Sequence, residues 1–176
     1  MESRILNNNA LALIALCNEY CCGMERAAGM ERMAFVASML RLLPRIYISA
    51  TDLDVEASML SPEDEDVVIE QSLDEEHYEA VRRAVERVMG EEDVYLEVFE
   101  EDMKYSDTPI SASIAEGLAD LFQGFHNFTA MVRNVPTHML PGVLSAFKEE
   151  FGMEWSVPLC NTLRALNHVR YMGGAE

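Results

Sequence analysis

Apolar residues in this chain recur at spacings of three and four almost from end to end, and that period commits the backbone to helices. In the first segment Leu6, Ala10, Leu13, Ile14, Cys17, Tyr20, Cys21 and Met24 follow it. Asn7 to Asn9 offer N-caps, Gly23 is tolerated inside, and Gly29 is the expected stop. A second helix is expected from about Glu31 to Ser49. There Phe35, Val36, Met39, Leu40, Leu42, Leu43, Ile46 and Tyr47 leave nearly every face apolar, as in a buried central helix kinked by Pro44. Ser72 and Glu75 read as a capping box opening a third helix with Tyr78, Val81, Val85 and Val88 inward, closed by Gly90.

Tyr95, Leu96, Val98 and Phe99 suit a strand or one more helical turn. With no other segment reading as β, a short helix or extended connector is expected. After the Ser106-Asp107-Thr108-Pro109 turn, a helix carries Ile114, Leu118, Leu121, Phe122, Phe125 and Phe128 inward, ending at Asn134 and Pro136. The last stripe is Leu140, Leu144, Phe147, Phe151, Trp155, Leu159, Leu163 and Leu166. It runs through Gly152 and Pro158 as one long helix kinked near the proline. The expected fold is all-α: a single domain spanning residues 1–176, about five main helices in one bundle, with an acidic irregular connector at about 51–71.

Charge divides the chain more sharply than pattern does. Between Asp52 and Asp102 there are 20 acidic residues and three arginines (Arg82, Arg83, Arg87), while the remainder holds 11 acids and 10 bases. The formal net charge of −18 disfavours nucleic acid and anionic membranes, whose affinity for proteins comes mainly from Lys and Arg. Mutual repulsion in the acidic third predicts carboxylate pKa values raised on average, and stability gained on mild acidification. The apolar run Ala10–Cys17 is too short to span a bilayer, and no signal-peptide pattern opens the chain. Cys17, Cys21, Cys22 and Cys160 form no C-x-x-C pair and read as reduced core thiols, so a cytoplasmic location is expected.

Val94-Tyr-Leu-Glu-Val-Phe99, Met103-Lys-Tyr-Ser-Asp107-x-Pro109 and Ser113-Ile-x-Glu116-x-Leu118-Ala-Asp120 together form a distinctive set. With Leu42-Leu43-Pro44-x-Ile46-Tyr47 and Asn161-x-Leu163-Arg164-Ala165-Leu166, it resembles a bacterial domain family of unknown function. The resemblance covers most of the chain and implies an all-helical fold, with no activity or catalytic residue to carry over. Trp155-Ser-Val-Pro158 departs from the family pattern in its proline, and the connector around Glu63 to Asp66 is particular to this sequence.

Two constellations suggest chemistry. Asp52-x-Asp54-x-Glu56, with Glu63 eleven residues after Asp52, has the oxygen spacing of an EF-hand loop. Ala57 replaces the turn glycine, however, Leu60 offers no oxygen, and Pro62 interrupts, so a solvated acidic loop is expected and no metal site is assigned. Glu116 and Asp120 share one helix face at i, i+4. With Tyr105, Asp107 and Arg164 they form a candidate polar-ligand pocket, although Ser113–Glu116 also reads as a capping box. His77, His126, His138 and His168 sit on separate elements, and no Glu-x-x-His or nucleophile motif accompanies them. The expected function is therefore a non-catalytic interaction module. Its acidic surface, with Glu63, Glu65 and Asp66 around Asp64, meets a basic protein partner without a cofactor. The alternative is an enzyme or a small-ligand or metal-binding protein using the Tyr105–Asp107–Glu116–Asp120 pocket.

Overall fold

The computed structural model describes residues 6–97, 104, 105 and 108–173. Its main elements are α1 (Asn8–Glu25), α2 (Arg32–Thr51), α3 (Glu75–Met89), β1 (Val94–Leu96), β2 (Ser111–Ser113), α4 (Ile114–Asn134), α5 (Leu140–Glu150) and α6 (Ser156–Tyr171). The fold is all-α. α4 is the hub, packing against α1, α3 and α6, while α2 lies against α1 and α6.

The apolar stripes become one continuous core. Leu13, Cys17 and Met24 of α1 meet Phe35, Met39, Leu43 and Ile46 of α2, together with Leu118, Phe122, Phe125 and Phe128 of α4. Tyr20 is fully buried because its hydroxyl has somewhere to go: it donates to the Leu118 carbonyl at 2.7 Å, and its ring meets Phe125 edge-on at 5.3 Å. By length and apolar composition α2 would suit a membrane span. In this fold Phe35, Val36, Met39, Leu43 and Ile46 are wholly covered core, whereas Tyr47, expected on an apolar face, and Ile48 are exposed.

The helix ends follow local chemistry, with some differences from the sequence expectation. Asn7 caps α1 by accepting from the Ala10 amide. α1 stops at Glu25 rather than Gly29, and the chain continues as a 3₁₀ turn over Ala27–Gly29. α3 is capped by Asp74, whose carboxylate accepts from the His77 amide at 2.7 Å, and not by Ser72. Ser72 is held elsewhere: its amide, its hydroxyl and the Leu73 amide all donate to the buried Asn127 Oδ1, at 3.0, 3.1 and 3.0 Å. Gly90 ends α3 at φ +55°, a conformation that suits glycine, and the guanidinium of Arg32 fills the space where a Cβ would lie.

The segment around Tyr95, expected as a short helix or extended connector, is a strand. β1 pairs antiparallel with β2, Tyr95 opposite Ala112 and Leu96 opposite Ser111. Its partner Ser-Ala-Ser carries no β signal of its own and was legible only as a helix cap. Ser113 does serve that role as well, accepting from the Glu116 amide while donating to Asp93. Val98 and Phe99 lie outside the described residues.

Residues 137–171 form the long C-terminal helical run, but its irregularity precedes Pro158. A 3₁₀ turn leads into α5, and one π-helical turn, Phe151–Trp155, joins α5 to α6. Pro158 has no N–H to give the Glu154 carbonyl four residues back, and the widened turn sits where that bond is missing.

The acidic connector is irregular apart from two 3₁₀ turns, Ala57–Met59 and Pro62–Asp66. The Asp64 carboxylate accepts from the Ser61 amide at 2.6 Å and the Ser61 hydroxyl at 2.9 Å. It also lies against Gly142 in the first turn of α5, where an added Cβ would stand 2.6 Å from Asp64 Oδ1. Glu63, Glu65 and Asp66 are exposed. The EF-hand-like stretch is thus broken up: Asp52 caps the end of α2 and Leu53 is buried. Among the described residues no three His, Cys, Asp or Glu side chains are grouped to hold a metal ion. Cys17 and Cys21 are core thiols; Cys22 and Cys160 are exposed, contrary to expectation, and all four are free.

Candidate functional site

Two glycines seven residues apart on α4 let α6 come close. A Cβ on Gly117 would collide with Thr162 Cγ2, and one on Gly124 would lie 2.5 Å from the Trp155 ring. The π turn delivers Trp155 to that spot, where its indole is held between Phe125 and Phe147 at centroid distances of 5.7 and 5.2 Å. On either side of this contact the α4–α6 junction opens into a groove. One part, of about 450 Å³, is lined by the hairpin, Glu97, Glu116, Gly117, Asp120, Pro158 and Asn161. The other, of about 420 Å³, shares Asp120 and Pro158 and adds Gln71, Gln123, Glu150, Glu154 and Trp155.

The hairpin is fixed over α4 by a buried carboxylate. Asp93, 5% exposed, accepts from the Ser113 hydroxyl at 2.6 Å and the Ala115 amide at 2.7 Å, at the positive end of the α4 dipole. Glu97 is steadied by Asn161 Nδ2 at 3.0 Å and the Tyr95 hydroxyl at 3.3 Å. Tyr78 of α3 donates to Asp120 Oδ1 at 2.6 Å.

The lining carries five carboxylates (Glu97, Glu116, Asp120, Glu150 and Glu154) and, among the described residues, no Lys or Arg. The local field is felt by neighbouring groups. Burial first, then the hydrogen bond and charge of Asp120, pushes the Tyr78 hydroxyl above its ordinary value. Burial and the Glu97 charge do the same to Tyr95. Burial, with Glu154 and Glu149 nearby, raises Glu150. The acidic third is not uniformly self-repelling, however: hydrogen bonds and charge from Arg82 and Arg83 lower Glu79.

Of the five pocket residues expected from sequence, Glu116 and Asp120 face the groove together. Arg164 does not line it. It reaches the Leu96 carbonyl and sits over the Tyr95 ring at 5.9 Å, bracing the hairpin from outside. Tyr105 is 91% exposed and lines neither part, and Asp107 lies outside the described residues. Glu97, Glu150, Glu154, Asn161 and Tyr78 were not assigned to this site from the sequence. The signal that could have pointed there is the seven-residue spacing of Gly117 and Gly124, where α6 and the π turn come close.

The chain matches the family described as Domain of unknown function (DUF5063) over residues 4–172. No curated protein matches it. Its fold is similar to the crystal structure of protein BF1032 from Bacteroides fragilis, at 28% identity and a TM-score of 0.78, with 98% of each chain covered. The match over nearly its whole length places this chain in the DUF5063 family.

Proposed function

We propose that the chain is a non-catalytic interaction module that receives a basic segment of a partner protein along the acidic α4–α6 groove. The observation that carries this reading is the groove lining, five carboxylates with no Lys or Arg among the described residues. Such a concave, single-sign surface concentrates the field and steers an oppositely charged partner. Glu63, Glu65 and Asp66, exposed on the connector, extend the same sign of charge without being tied up, whereas Asp64 is engaged by Ser61. The arrangement of polar groups is pre-formed: Asn161, Tyr95 and Tyr78 hold Glu97 and Asp120 in place before any partner arrives.

The test is a fluorescence-polarisation titration with an arginine-rich nonapeptide at low and moderate salt. Binding is expected, weakening as salt rises. The triple variant Glu97→Gln/Glu116→Gln/Asp120→Asn should weaken it at least tenfold. Equal affinity in the triple variant would show that net charge alone attracts the peptide and would end the groove reading. A second reading, a small cationic ligand, is favoured by the groove's volume, which falls in the small-molecule range. A thermal-shift screen of metal ions and amine metabolites separates the two: a stabilising hit lost in Asp120→Asn supports the small ligand.

A further inference from the structure

In a chain carrying 18 excess negative charges, α2 and α6 contain no Asp or Glu at all. Their charged residues are Arg32, Arg41, Arg45, Arg164 and Arg170, and the two helices pack side by side. Arg32 is used internally, donating to the Val88 carbonyl, and Arg164 braces the hairpin. Arg41, Arg45 and Arg170 are exposed, and among the described residues none has a carboxylate within 4 Å.

Between these helices, away from the acidic groove, runs a second open groove of about 480 Å³. It is lined by Leu40 and Pro44 of α2 and by Cys160, Leu163, Arg164, Asn167 and Tyr171 at or near α6's outer face. The α6 residues repeat at three and four, so the lining extends along about 16 Å of helix, three turns. Tyr171 and the adjoining Met172 are 72% and 63% exposed, large apolar surface on which the Arg170 guanidinium alone is seen to lie among the described residues, 5.9 Å from the Tyr171 ring centre.

We infer that the α2–α6 groove is a docking site for an acidic amphipathic helix of about three turns, supplied by a partner protein. Two parallel ridges of side chains with an apolar floor accept a third helix by ridge-into-groove packing. Arg41 and Arg45, each next in sequence to a floor residue, with Arg170 at the far end, match carboxylates on the incoming helix's flanks. A long polyanion is disfavoured, because beyond this patch it meets the field of the acidic third. A second copy carries the same net −18 and brings general repulsion to the encounter. The site is independent of the acidic groove, so either can fail without the other.

The probe is an 18-residue helical peptide with Leu at i, i+3, i+4 and i+7 and Glu on its flanks, titrated into the ¹⁵N-labelled full chain. Amide shifts should change along residues 40–48 and 157–172 and saturate in the micromolar range. Arg41→Glu/Arg45→Glu, at exposed positions that leave the melting temperature unchanged, should weaken binding at least tenfold; Tyr171→Ala should weaken it with less dependence on salt. The inference is overturned if no shifts appear at millimolar peptide, or if they map to the acidic groove. It is likewise overturned if a Lys-flanked version, a DNA duplex or phosphatidylserine vesicles bind this face as well. A peptide-free dimer that Arg41→Glu/Arg45→Glu dissociates would put a second copy in the groove and overturn it too.

Discussion

Replacing Gly124 by alanine should destabilise this protein even though alanine is the better helix former. The new methyl would stand 2.5, 2.7 and 2.8 Å from Cε2, Nε1 and Cζ2 of Trp155. That ring cannot swing away, because Phe125 and Phe147 hold it from two sides. Overpacking a rigid contact of this kind costs about 1–3 kcal/mol, and three ring atoms in conflict place it in the upper half. The gain in helix propensity returns about 1 kcal/mol, leaving a net loss of about 1–2 kcal/mol. For a chain of this size that is a melting point lower by about 2–8 °C, read by calorimetry and checked by urea unfolding. Context should reverse the sign. In a Trp155→Ala background the methyl has room, and Gly124→Ala should then stabilise by about 1 kcal/mol relative to that background. Gly152→Ala is the matched control, because a Cβ there meets nothing within 4 Å and should not destabilise. A higher melting point for Gly124→Ala in the otherwise unaltered chain would show that the helix approach is not set by this contact, and the derivation of the groove would fall with it.

Asn127→Ala removes the single acceptor shared by the Ser72 amide, the Ser72 hydroxyl and the Leu73 amide, and should cost about 2–4 kcal/mol. Hydrogen exchange at Ser72 and Leu73 should speed up by more than at α1 amides; uniform acceleration would refute a local clamp. His126 gives a pH dependence of definite sign. Burial, then the neighbouring His77, lowers its pKa below the ordinary value, and among the described residues its Nδ1 is buried without a partner. The folded state therefore binds fewer protons than the unfolded one. The contribution is complete above the unfolded value and is lost as pH falls through the folded one. Melting points measured from pH 7.5 to 5 should fall more steeply for the parent than for His126→Gln; parallel curves would disprove the assignment.

The helices were legible because burial of a helix face imposes its period on the sequence, as the run from Leu140 to Leu166 shows. What failed were decisions among local competitors. Ser72 and Asp74 are both good caps, and Asp74 prevails because Asn127, 54 residues away in sequence, already holds Leu73 and its neighbour. The hairpin was hidden for a similar reason: β2 is Ser-Ala-Ser, a strand by virtue of its pairing and of Asp93 beneath it, not by propensity. In the groove, Glu116 and Asp120 share a helix and could be paired from spacing alone. Glu97, Glu150 and Glu154 come from elements that only the tertiary fold brings beside them. The mixed fate of the charges, with Glu79 relieved by Arg82 and Arg83, also shows why a net count over the acidic third overstated its self-repulsion.

The packing of α2 against α6 also imposes an order in time. About 120 residues separate the end of α2 from the end of its partner, and ribosomes add roughly 5–20 residues per second. The apolar side of α2 thus leaves the ribosome roughly 6–24 s before the helix that covers it is complete. Over that interval the nascent chain presents a 20-residue, predominantly apolar helix whose α6-facing side is uncovered. α6 is the lid of this core, and the chain's exposure to misassociation lasts until α6 has been made.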